Sequence, residues 1–176
     1  MNWDMLLTPD ESRICTWVGR KRFQNANRLD RDPGDGPPHT HDRMDIRGAH
    51  CEFSASLILN LSWRPSIGRI RDRDVGGLIE VRSTDLSHGR LIVKPKDIQK
   101  SPCVPFALVM QVSALQYRLL GWQFAAEAKT SPFLTQHGDP AHFVKQSDLR
   151  SNDTLLEWIT EQRQAGNGLH NMKIAA

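Results

Sequence analysis

No apolar run in this 176-residue chain approaches the roughly 20 residues needed to cross a bilayer. The N-terminus, MNWDMLLTPDE, has neither the basic start nor the long apolar stretch of a secretory signal, so the reading is an intracellular, cytoplasmic protein with no membrane partner. Cysteine is scarce and odd in number: Cys15, Cys51 and Cys103 are widely spaced and form no CxxC pair. That argues against a disulfide framework and a structural zinc site, and predicts reduced thiols in or near the core. No Gly-Lys-Ser/Thr follows Gly34-Asp35-Gly36, which excludes a phosphate loop, and no G-x-S-x-G elbow is present. Repeats and low-complexity segments are missing as well.

What is present suits one globular domain over residues 1–165, followed by a loose tail over 166–176. The net charge of +3 is modest, but the cations crowd the first half of the chain, from Arg13 through Arg20, Lys21, Arg22 and Arg28 to Arg73. A basic half of this kind suits either a polyanionic partner or a solvated face.

Thr8-Pro9-Asp10-Glu11 has the signature of a helix start, and Ile14, Trp17 and Val18 extend it to the mid-twenties. Asp32 to Asp42 is rich in Pro and Gly and reads as a loop. It carries His39-Thr40-His41-Asp42, ligand types that lack a fourth partner for zinc. A second helix is predicted over Asp42 to Leu61, and strands over 66–71, 78–84, 90–94, 105–111 and 117–126. A closing helix is predicted over 154–164. The order implies an α/β fold, a mixed central sheet flanked by helices. The five tryptophans are scattered and read as core anchors.

Three acids and an arginine draw notice. Alternate residues of a strand share a face, so Glu80 and Arg82 project together and could meet one bound phosphate. Alone, the pair fits a solvent-facing strand edge better. Whether Asp74 joins them depends on register. A two-residue hairpin at Gly76-Gly77 would turn it away, whereas a three-residue loop would set it opposite Glu80, and an irregular turn could also bring the two together; the double glycine permits any of these. Glu52 lies on the second helix among small residues, Gly48, Ala49, Ala55 and Ser56, a face able to pack close to a sheet. A carboxylate at such a contact needs compensation, from a divalent cation or from one of the many arginines.

The order Gly48-Ala49-His50-Cys51-Glu52, then Asp74, then Glu80-Val81-Arg82 resembles the PD-(D/E)XK nuclease superfamily, over about residues 44 to 130. The resemblance implies a restriction-endonuclease-like fold and a Mg²⁺- or Mn²⁺-dependent deoxyribonuclease. Glu52, Asp74, Glu80 and the Val81 carbonyl would hold the metal, and Asp74, Glu80 and Arg82 would carry the catalysis. Charge adds Arg20, Lys21, Arg22 and Arg43 as nucleic-acid contacts, with Lys94 on the next strand able to lean in. DNA is the implied partner, with a homodimer open and a bacterial host cell as the location if the chain is phage-encoded. Two departures stand out: Arg73 replaces the motif's proline, and Arg82 replaces its lysine. The second fits a member that has lost catalysis and binds nucleic acid or protein instead. A virion or counter-defence interaction protein is a third reading.

Overall fold

The computed structural model describes residues 2–28, 38–67, 73–134 and 140–166. Helix α1 (Pro9–Arg28) starts as its sequence predicts. Glu11 accepts from the backbone N–H of Thr8 at 2.7 Å, and the Thr8 hydroxyl accepts from the N–H of Glu11 at 3.3 Å, a reciprocal capping box. Helix α2 (Pro38–Ile58) begins earlier than expected. Pro38 supplies a preset φ in the first turn, so His39-Thr40-His41-Asp42 is helical rather than part of a loop. The rest of that expected loop falls outside the described residues. The helix stops at Ile58, and Asn60 follows with φ of 50°.

The strands are β1 (Asp4–Leu6), β2 (Glu80–Thr84), β3 (Leu91–Val93), β4 (Pro105–Gln111), β5 (Gln116–Phe124), β6 (Phe133–Leu134) and β7 (Ala141–Val144). Helix α3 (Pro95–Lys100) follows β3, and α4 (Asn152–Gln164) closes the described fold. The strand expected over 66–71 is not seen at Ser66 and Ile67, and its remainder lies outside the described residues. β1, α3, β6 and β7 went unanticipated because each is a short, weakly patterned segment that tertiary pairing completes.

The larger sheet has the order β1-β5-β4-β2, with β2 parallel to β4 and the other pairs antiparallel. This is the mixed sheet flanked by helices that the sequence implies. β4 is the strand whose residues 105–109 are all buried, and its alternate side chains serve two cores. Ala107 and Val109 pack with Ala49, Cys51 and Ala55 of α2, while Phe106 and Leu108 pack with Leu91, Val93 and Ile98. The second core is closed by a small antiparallel sheet, β3-β7-β6. α4 packs on β5, where the buried Trp122 indole donates to the Ser151 carbonyl at 3.0 Å. Trp17, expected in the core, is 55% exposed on α1, and Cys103 is an exposed thiol. Burial pushes the Cys15 thiol up to about 12 and Cys51 further still, so both are inert. Among the described residues no helix is long and apolar enough to cross a membrane.

Candidate active site

β2 is an edge strand, and the segment before it decides the register that sequence leaves open. Val75 and Ile79 bridge each other, each N–H donating to the other's carbonyl at 3.1 Å. Gly76, Gly77 and Leu78 therefore form a three-residue loop, and the next pair outward is Asp74 opposite Glu80. The loop needs its glycines, whose φ values of 62° and 69° are left-handed. Asp74 Oδ2 also accepts the Val81 N–H at 2.8 Å, which pins the carboxylate beside the strand.

Electrostatics follow from that pairing. Burial, reinforced by the charges of Glu52 and Glu80, pushes Asp74 up to about 8 against the pull of the Val81 N–H and Arg82. Burial raises Glu80 as well, with Arg82 opposing and Asp97 adding to the rise. Arg82 spreads its guanidinium between Asp97 at 3.1 Å and Glu80 at 3.7 Å, 4.7 Å above the Phe106 ring. It also donates to the Val81 carbonyl at 3.3 Å, the oxygen expected to face a metal.

Glu52 has a different neighbour from the one its expected role requires. Arg22 grips it bidentately at 2.6 and 2.7 Å, and the Trp63 indole N–H donates to it at 3.1 Å. Arg22 Nε in turn donates to the Ser66 carbonyl at 3.0 Å. The cause lies in the helix crossing. Gly19 lets α1 approach so closely that a Cβ there would lie 2.4 Å from the Ile46 Cα, and the next turn brings Arg22 alongside Glu52. Of the small residues around Glu52, Ala49, Ala55 and Ser56 are buried, but a Cβ on Gly48 would meet nothing within 4 Å. Gly48 borders open space, not the sheet.

That space is a cleft of about 720 Å³, and Glu52, Asp74, Glu80 and Arg82 all line it. Of the expected nucleic-acid contacts only Arg22 lines it, while Arg20, Lys21, Arg43 and Lys94 do not. Arg73 and, from α3, Lys96 and Lys100 line it instead. The sequence signal for that wall was Pro95 with Asp97, a helix start in which Asp97 accepts the Lys94 N–H at 3.2 Å. His88 stands apart, in a shallower depression with Arg90 and Lys145.

Among the described residues, no three His, Cys, Asp or Glu side chains are grouped so as to hold a metal ion. Asp74 and Glu80 fit a hard divalent cation by donor type and by the repulsion between their buried carboxylates. Glu52, gripped by Arg22, does not fit in this arrangement. A scan against protein-family models and searches of curated proteins and of solved structures find no match to this chain.

Proposed function

We propose that the cleft belongs to a metal-dependent nuclease of the PD-(D/E)XK type that hydrolyses phosphodiester bonds in DNA. The observation that carries this reading is Asp74 opposite Glu80 across the three-residue loop, two carboxylates held uncomfortably close in one cleft. Two carboxylates that repel each other when both are charged are relieved by a divalent cation between them. Asp74 and Glu80 would hold Mg²⁺ or Mn²⁺, with the Val81 carbonyl on the same strand. Such an ion, when bound, supplies an activated water and neutralises charge at the phosphate.

The chain's own residues do the rest. Arg82 stays protonated, so it cannot take a proton from water and serves as an electrostatic clamp on the scissile phosphate. Its place over the Phe106 ring and its pairing with Asp97 hold the guanidinium at the cleft that Arg82 lines. Arg73, Lys96 and Lys100 add to that cleft, beside its acids, cations able to meet a phosphate backbone.

Labelled duplex and single-stranded DNA incubated with Mg²⁺ or Mn²⁺ test the proposal. Cleavage should fall by about 100-fold or more in Asp74→Asn and in Glu80→Gln, the scale of losing a principal electrostatic group. Undiminished cutting by either variant would overturn the assignment. A second reading, a DNA- or protein-binding module without catalysis, is favoured by Arg82 at the lysine position and by the grip of Arg22 on Glu52. It expects salt-sensitive DNA binding with no metal-dependent degradation.

A further inference from the structure

A second group of cations lies outside the cleft, and no acid lines it. His88, Arg90, Lys145, Gln146 and Ser147 surround a shallow depression of about 270 Å³ that shares no residue with the cleft. Strand pairing puts the charges together. Leu91 pairs with Val144 at the end of the β3–β7 ladder, so the next positions outward are Arg90 and Lys145, two like charges across from each other. Neither forms an ion pair with another described residue. The turn before β3 is fixed in place. The Gln146 side-chain amide donates to the Ser87 carbonyl at 3.0 Å and to the Gly89 carbonyl at 2.8 Å, and a Cβ on Gly89 would collide with the Thr84 side chain. Asp148 accepts the Ser147 hydroxyl at 2.9 Å but does not line the depression. Like charges held this way repel unless an anion lies between them.

We propose that this depression is a second nucleic-acid contact, binding a backbone phosphate of a strand whose other phosphates lie at the cleft. The lining decides the chemistry of the ligand. Arg90, Lys145 and the His88 ring can meet phosphate oxygens, but no apolar side chain lines the depression to hold a base or an acyl chain. Exposed ion pairs are weak singly, so a free phosphate gains little here. A strand already held elsewhere gains the contact without a second loss of translational freedom. The cleft supplies that other hold. Arg90 precedes β3, and α3, which carries Lys96 and Lys100 of the cleft, follows it. A three-residue β-strand spans about 10 Å and a nucleic-acid strand advances about 3.4 Å per nucleotide, so one strand a few nucleotides long reaches both groups of cations. The proposal rests on the nuclease reading only for its partner, nucleic acid, and not for catalysis, so the two fail separately.

Fluorescence anisotropy of labelled single-stranded and duplex DNA, in chelator so that nothing is cut, tests the contact on the full chain. Arg90→Ser/Lys145→Ser, at two exposed positions, should bind several-fold more weakly than wild type. The slope of log affinity against log salt should fall by about one, the loss of a single phosphate contact. Wild-type affinity and slope in the folded double variant overturn the proposal. Arg90→Lys/Lys145→Arg keeps both charges and should bind as wild type does; a loss as large as that of the serine variant overturns it. Should the serine variant fail to fold, the unmutated chain still decides: the ¹⁵N-resolved Nε–H signal of Arg90 should move on addition of DNA. A signal unmoved at saturation, or moved by inorganic phosphate and not by DNA, overturns the contact. So does a serine variant that loses binding to phosphatidylserine vesicles while keeping its hold on DNA, which would mark a membrane surface. Metal-dependent cleavage by wild type with DNA binding unchanged in the serine variant removes the second contact and leaves the nuclease reading standing. Weakened binding in the serine variant of a chain that cuts nothing does the reverse. If wild type binds no DNA, both fall.

Discussion

Glu52 and Arg22 illustrate how far a single residue can be read. The sequence indicates that a carboxylate among small helix residues needs a positive partner, but Arg22 lies 30 positions away among many arginines. Only the approach of α1 to α2 selects it. Because the pair is buried and bidentate, loss of one member strands the other. Glu52→Gln should destabilise the protein by about 3–5 kcal/mol in urea denaturation, most of it the cost of an uncompensated guanidinium. Glu80 and Arg82 were legible together, since strand alternation alone puts them on one face. The place of Asp74 was not, because Gly76-Gly77 permits more than one loop length and only the Val75–Ile79 bridge selects among them.

Elements bear out the strongest local signals and depart from the weak ones. The capping box of α1, the buried run of β4 and the closing α4 each combine propensity and pattern in one direction. α3 lies between two strands and is only six residues long, too short for periodicity to register, yet it provides Lys96, Asp97 and Lys100 to the cleft. Two helix glycines make an informative contrast. Gly19→Ala should cost roughly 1–3 kcal/mol, because its methyl would collide with the Ile46 backbone and push α1 from α2. Gly48→Ala meets no neighbour and should stabilise α2 by up to about 1 kcal/mol through helix propensity. Thermal melts of the two variants should therefore shift in opposite directions from wild type.

For the molecule as a whole, the acid cluster sets a pH dependence. Asp74 and Glu80 bind protons more tightly folded than unfolded, so their contribution to stability is full at low pH. It is lost as pH rises, for Asp74 through the interval from its ordinary value of 3.8 to about 8. His50 works the other way. Burial lowers it against its bonds to the Ile46 carbonyl and to Ser12, and its contribution is lost as pH falls below the ordinary 6.5. Between about pH 6.5 and 8 the acids therefore dominate. In chelator, the melting temperature of wild type should fall across that window. Asp74→Asn should flatten the slope, and Mg²⁺ should remove it by stabilising the charged pair. A wild-type melting temperature that rises across the window in chelator would count against this account of the cleft.

Residue order by itself determined the fold class, the start of α1 and the one-sided presentation of Glu80 with Arg82, because these rest on propensity and on periods of a few residues. Tertiary structure decided which loop carries Asp74, which arginine neutralises Glu52 and which lysines line the cleft. Those outcomes depend on contacts between distant segments, whose energies local pattern does not contain, and above all on how closely Gly19 lets two helices cross.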